Sequence, residues 1–399
     1  SLRTKGESVN FAELQKTKPT IAAALLPAMS VSASPVDDSF YPYNESTPNY
    51  PGLTPGMTLT ADNIGQFPGV IDSEMAAAIA AGDVQIKVGK TTSFDLHPNY
   101  VKATRENTGN VKLGEQVGEI NGWVAGRPFV NEPAKDDPRA GEKLAWNYKY
   151  GYNWGDNAAI YPFYWKYRNM ESGAIERTLK FNFHFLNYQG RVNQQPLPNI
   201  EPNPSNLYRS IYVQVLAPYD VKNTQLLIQR NTDDLKRDNA WLYLGFQRRV
   251  RRLATGQVTD AFLGSDIMIE DFEGYNGRVS DMKWNFIETK NVLLPFYNHN
   301  DMELDTETHN DSDGYQVAAF SGKGGCYPDV EWQLRKAYVV EAVPLDSNHP
   351  MSKRVFYMDA QTFTIPRTNI YDRAGNLWKK WIIGQAHPDH HLPKNKGSG

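Results

Sequence analysis

The chain has 399 residues and a formal net charge of −3, from 42 basic and 45 acidic side chains. That balance supplies no global positive field for nucleic acid, and a single cysteine, Cys326, excludes an intramolecular disulfide. The 22 tyrosines and 9 tryptophans, each with an apolar body and a polar tip, suit half-buried sheets and amphipathic cavities.

Arg3, Lys5, Lys16 and Lys18 precede an apolar run from Thr20 to Val31, followed by Ser32-Ala33-Ser34-Pro35. Basic region, short apolar core and small-residue boundary are the layout of a secretory signal, assigned here to residues 1–33. A buried N-terminal helix is the alternative. The run is too short to span a bilayer, and no later segment is long and apolar enough to do so. The expectation is a soluble exported protein of the periplasm. Residues 34–58 are rich in Pro and Gly and are expected to form an irregular linker. Residues 60–81 read as one or two helices, with Asp72-Ser73 as N-cap chemistry and Gly82 as the stop.

From Val84 the pattern changes to short alternating segments. Expected strands are Val84–Val88, Gln116–Ile120, Thr178–His184, Ser210–Leu216, Gln225–Arg230, Ala240–Phe246, Asp281–Glu288 and Gln333–Ala342. Arg354–Ile383 reads as a three-stranded meander with reversals at 358–361 and at Asp372–Asn376. Pro138–Tyr150 is the best helix, and Ser265–Phe272 reads as a short one. Many strands, few helices and no βαβ alternation argue an antiparallel sheet with helices on one face. One domain is expected over 59–385, with a flexible tail over 386–399.

The segment Trp241–Tyr275 carries most information. A strand (WLYLGF) runs into Arg248, Arg249, Arg251 and Arg252. A Phe262–Asp266 turn and the acidic-aromatic group Glu270, Asp271, Phe272 and Glu273 follow. The arginines read as solvated strand-end charge paired to nearby acids.

The ordered set of motifs resembles a large Gram-negative exported family of unknown function, grouped with the lipoprotein carriers LolA and LolB. Its marks are Gly122–Phe129 (GWVAGRPF), the Gly141-x-x-x-x-Trp146-Asn147 helix, Trp241–Arg252, Phe262–Asp266 and Asp271–Arg278. Asp281–Trp284, Leu294–Asn298, Arg354–Asp359 and Tyr371–Trp378 complete it. Gly245 stands where the family strand usually ends in Pro, and Val130 replaces a second Pro, which puts local loop shapes in question. The resemblance implies a mainly β, α+β fold of LolA/LolB type: one strongly curved antiparallel sheet, an incomplete barrel, with helices covering its concave side. It implies a non-catalytic carrier of a lipid or other hydrophobic molecule in a half-barrel cavity. It also implies an RND-type exporter as partner, and transient membrane contact.

Such a carrier is physically plausible. Burying apolar area yields roughly 25 cal/mol per Å², so about fourteen methylenes gain on the order of 10 kcal/mol. Strand periodicity offers three aromatic stripes as cavity walls: Phe181, Phe183 and Phe185; Trp241 and Tyr243; Trp284 and Phe286. Each stripe can equally be ordinary core under a helix. Arg248, Arg251, Asp266 and Asp271 are candidates for a lipid head-group site or for structural ion pairs.

Other patterns carry less. The acidic run within 298–313 lacks EF-hand spacing and reads as a solvated loop. Ser321–Gly325 lacks the spacing of a phosphate loop and reads as a turn. Cys326 reads as a small buried or turn residue, with no His or acid beside it in a nucleophile pattern. His387, His390 and His391 fall in the expected tail. No catalytic residue, metal or cofactor is assigned. The rival functions are an envelope structural or interaction module with a solid interior, and a secreted hydrolase using two carboxylates.

Overall fold

The computed structural model describes residues 34–254, 258–298, 304–305 and 317–390. The signal assignment over 1–33, most of the acidic run and His391 lie outside the described residues.

The helices are α1 (Pro35–Phe40), α2 (Ser73–Ala80), α3 (Pro98–Asn107) and α4 (Ala140–Lys149). The principal strands, in chain order, begin with β1 (Thr58–Leu59), β2 (Ile86–Gly89), β3 (Asn157–Arg168), β4 (Ile175–Asn187) and β5 (Leu207–Ala217). They continue with β6 (Gln225–Asn231), β7 (Asn239–Leu244), β8 (Arg249–Arg252) and β9 (Met282–Leu294). The last four are β10 (Glu331–Pro344), β11 (Met351–Asp359), β12 (Arg367–Asp372) and β13 (Leu377–Ile382).

The expected mainly β architecture is present, but the expected single sheet is not. Hydrogen bonding divides the strands into a six-stranded sheet and a seven-stranded sheet, and neither closes into a barrel. The six-stranded sheet is a plain antiparallel meander, β3 to β8 in sequence order. The seven-stranded sheet is built around β10. β9 pairs along one side of it; β11 pairs antiparallel and β2 pairs parallel with other parts of it. β11, β12 and β13 form the expected meander.

Local chemistry accounts for the elements. Asp72 caps α2 by accepting from the Met75 amide at 3.2 Å, and Gly82 ends it with φ +77°. Alternating burial along β4 and β6 reflects one face turned to a core and one toward solvent. Segment 34–58, expected to be irregular, contains α1. Ser34 caps it, Pro35 opens it, and Val36 and Phe40 pack against Tyr100 and Val101 of α3. Gln116–Ile120, expected as a strand, is mainly a turn: the Gln116 amide donates to the Glu119 carboxylate, and only Ile120 pairs, with Leu113. The tail expected from residue 386 is docked at its start. His387 stacks on Phe94 with ring centroids 5.2 Å apart, and its Nε2 lies 3.0 Å from the Asp95 carbonyl oxygen.

Two buried ion pairs brace the seven-stranded sheet. Arg335 on β10 meets Asp359 at 2.6 Å, and Arg367 on β12 meets the α2 cap Asp72 at 2.9 Å. α4 packs on β9, where a Cβ on Gly141 would come within 2.7 Å of the Trp284 backbone.

Candidate functional site

Cross-strand register assembles an aromatic wall on one face of the six-stranded sheet. Phe163 of β3 pairs with Phe181 of β4, and Phe181 with Val215 of β5. Phe183 pairs with Val213, and Val213 with Leu226, which pairs with Leu242. Paired residues share a face, so Phe163, Trp165, Phe181, Phe183 and Phe185 form one continuous surface. Trp165 and Phe181 ring centroids are 5.0 Å apart, and those of Phe183 and Phe185 4.9 Å.

Among the described residues, no regular helix covers this wall. It is closed by the connection between the two sheets, residues 262–276, called the strap below. Phe262, Ile269 and Phe272 of the strap point into the wall. Phe272 lies 5.9 Å from Phe183 and 6.2 Å from Trp165. The strap holds short 3₁₀ turns interrupted by Leu263 (φ +51°) and Glu273 (φ +60°), both in the left-handed region. Non-glycine residues there are disfavoured by about 1 kcal/mol or more each, so surrounding contacts must hold them.

Those contacts are polar and come largely from outside the wall. Arg354 of β11 meets Asp271 at 2.6 Å and Glu270 at 3.4 Å. Lys379 of β13 reaches Asp271 at 3.1 Å, and His349 Nε2 lies 2.6 Å from Glu270. Because His349 Nδ1 accepts from the Met351 amide, a neutral ring donates from Nε2 to Glu270. Burial, the largest single effect, pushes the Glu270 and Asp271 carboxyls up, but Arg354 together with His349 at Glu270 and with Lys379 and the Met268 amide at Asp271 outweighs it, holding both below the ordinary carboxylate range. Tyr148 of α4 donates to the Glu273 and Tyr275 carbonyls, Tyr167 donates to the Leu263 carbonyl, and Trp154 donates to the Glu273 carboxylate. The strap is thus two-faced, apolar toward the wall and charged toward the seven-stranded sheet.

The sequence-derived candidates separate. Phe181, Phe183 and Phe185 lie in the wall. Trp241 and Tyr243 do not: they alternate with Ala240 and Leu242 and lie half-buried on the opposite face. Trp284 and Phe286 belong to a second cluster on the seven-stranded sheet, where α4, Tyr275 and Phe356 cover them as ordinary core. Asp271 is a structural ion pair. Arg248, Arg251 and Asp266 are exposed. Arg251 donates to Gln247 and Arg252 to Asn239, so among the described residues amides rather than nearby acids are their partners.

Sequence reading missed Phe163, Trp165, Phe262, Ile269 and Phe272. The alternation Phe163-x-Trp165-x-Tyr167 was legible, but Pro162 and the outward Tyr161 and Tyr164 obscured the period. Cys326 is exposed in a turn, and partial desolvation of its thiol by neighbouring atoms raises its pKa, which disfavours the thiolate.

Two cavities adjoin these elements. One, between α4, β5 and the strap, has about 30 Å³ of space and is lined by Tyr148, Lys149, Arg230 and Glu273 among others. The other, of about 90 Å³ and mostly apolar, lies between Phe94, Tyr152, Phe296 and the 385–388 segment. Each holds a few waters at most, not an acyl chain.

A family profile described as a protein of unknown function, DUF1329, matches residues 58–398. The chain belongs to the DUF1329 family. It is 24% identical over 359 residues to an uncharacterized protein of Pseudomonas aeruginosa, spanning 86% of this chain and 72% of that one. Among solved structures, a DUF1329 family protein from Desulfovibrio piger aligns at TM-score 0.43 and 17% identity, over 63% of this chain and 81% of that chain. A LolA superfamily protein from Nitrosomonas europaea aligns at TM-score 0.28 and 10% identity, over 56% and 67%.

The motifs on which the sequence resemblance rests have structural reasons here. In the α4 motif, Gly141 permits close approach to Trp284, Trp146 is buried, and Asn147 both donates to and accepts from the Phe129 backbone. The Asn147 clamp holds the Gly122–Phe129 motif on α4. Within that motif buried Arg127 stacks over Phe40 and Phe363, 4.0 and 4.5 Å from their centroids. It also donates to the Ser39 and Gln361 carbonyls, joining α1 to the β11–β12 reversal.

Proposed function

We propose that this DUF1329 protein is a non-catalytic periplasmic carrier that binds a lipid or other hydrophobic molecule against the aromatic wall. The observation that carries this reading is the two-faced strap. Its apolar side chains occupy the place an acyl chain would take, while its anchoring is polar and located on the other sheet. Displacing Phe262, Ile269 and Phe272 exchanges one set of apolar contacts for another, which keeps the cost of loading low. Residues 1–33, as a secretory signal, support the compartment. An RND-type envelope exporter as partner follows from the family resemblance.

A second reading is an envelope interaction module without small-molecule cargo. The two cavities described above support it, since neither holds an acyl chain.

The test is native mass spectrometry of protein purified gently from the envelope fraction, followed by solvent extraction. A discrete added mass that extracts as an apolar compound is the expected result. A clean apo mass, unchanged after incubation with envelope lipids, overturns the carrier reading in favour of the module.

A further inference from the structure

The hairpin of β7 and β8 carries two features that neither the wall nor the strap uses. Between Ala240 and Ala254 there are four arginines and no acid. All four, Arg248, Arg249, Arg251 and Arg252, are exposed. At the same end, Phe246 in the turn is 68% exposed and Val250 65%.

The neighbouring turn between β5 and β6 extends this surface. Gly245 lies against it, since a Cβ there would approach the Lys222 carbonyl to 2.6 Å. That turn presents Tyr219, which is 93% exposed, and Lys222. Its one acid, Asp220, is engaged by Arg177 at 2.5 Å. Among the described residues, these two adjoining turns therefore combine aromatic tips with positive charge that no acid within them neutralises, while Glu171 and Glu176 stand beyond them at the β3–β4 turn, on a chain whose net charge is negative.

We infer that this end of the sheet is a docking surface for an anionic phospholipid bilayer. Arginines on an edge strand can serve to block strand addition by another chain. That role explains Arg249 and Arg251 but not the exposure of Phe246, Tyr219 and Val250, which water penalises. An anionic bilayer satisfies both features. Guanidinium groups bind phosphates through paired donors, and aromatic rings favour the headgroup level. Register places Val250 and Arg252 on the face of Tyr243 and Trp241, and Arg249 and Arg251 on the opposite face. The hairpin is thus basic on both sides with an apolar tip, suited to shallow insertion rather than to a flat protein interface. This surface is distinct from the aromatic wall and does not depend on cargo binding.

The test is co-sedimentation of the full chain with vesicles of phosphatidylcholine alone or mixed with phosphatidylglycerol, at low and high salt. Wild type is expected to pellet with the anionic vesicles and to be released by salt. A basic residue near such a surface is worth about fivefold in partitioning, so Arg249→Gln combined with Arg252→Gln is expected to weaken binding on the order of 25-fold. Phe246→Ala is expected to weaken it several-fold with the salt dependence retained. Thermal melting of both variants at the wild-type temperature verifies folding, and unchanged uptake of a fluorescent apolar probe separates docking from cargo binding. Equal partitioning onto both vesicle types, no pelleting, or wild-type binding by the arginine variant overturns the inference. Retention of the wild type on an immobilised acidic protein, without vesicle binding, also overturns it.

Discussion

Asp271 and Arg354 form a fully buried ion pair, with 2.6 Å between Oδ1 and Nη1. The acid sits on the strap and the base on β11, so one contact ties the cover of the aromatic wall to the other sheet. Removing one partner of such a pair leaves an uncompensated charge, at a cost of about 3–5 kcal/mol. Arg354→Met strands two carboxylates, although Lys379 and His349 retain part of the contact. A loss of about 3 kcal/mol is expected in urea unfolding followed by tryptophan fluorescence. A loss under about 1 kcal/mol would mean that the strap is held by its apolar side.

Acid sensitivity follows from the same groups. Asp72, Glu270 and Asp271 all have folded-state pKa values below ordinary carboxylates; burial, the largest single effect, opposes this, and Arg367 or Arg354 together with the neighbouring hydrogen-bond donors outweighs it. A lowered folded value stabilises above the unfolded pKa of about 4, and that stability is lost as pH falls through the folded value. Below about pH 4 each group adds a slope of up to about 1.4 kcal/mol per pH unit. Melting temperature is expected to be flat between about pH 5 and 7 and to fall steeply below about pH 4. Asp72→Asn should lower the neutral plateau and make the acid slope shallower; an unchanged slope would exclude Asp72 from it.

The fold was legible where one period dominated. Phe181, Phe183 and Phe185 alternate without interruption, and the structure buries all three on one face. Asp72 before an alanine-rich run marked α2, and the Asp372–Asn376 turn marked the last hairpin. Division into two sheets was not legible, because periodicity within a strand does not specify its neighbour. The strap was misread for a related reason. Its acids read as partners of the nearby arginines, whereas Asp271 pairs with Arg354 and Lys379, 83 and 108 residues away. Trp241 and Tyr243 failed as wall residues because the larger aromatics faced outward while Ala240 and Leu242 faced the core.

Gly141 provides a test of close packing. Alanine is the better helix former by about 1 kcal/mol, which alone would make Gly141→Ala stabilising. The new methyl, however, meets Trp284 backbone atoms at 2.7 Å, too close for a strand in a sheet to yield easily. Overpacking costs about 1–3 kcal/mol, and the rigid neighbour places this case at the upper end. A net loss of about 1–2 kcal/mol is expected by thermal or urea unfolding, whereas a gain would mean that α4 can lift from β9 without penalty.

The carrier and module readings diverge most clearly at Phe272. Phe272→Ala removes the strap's central ring from between Phe183 and Trp165 and leaves a cavity, at a cost of about 3 kcal/mol. If the strap occupies a cargo site, that cavity opens onto an aromatic wall able to hold an apolar ligand. Uptake of a fluorescent apolar probe should then rise above wild type even as stability falls. Phe183→Ala gives a cavity of the same kind by removing the wall itself, and should bind the probe less well than Phe272→Ala. Equal uptake by the two variants would mean that any void serves. Unchanged uptake by both, with the expected loss of stability, would identify the interior as ordinary core and favour the interaction module.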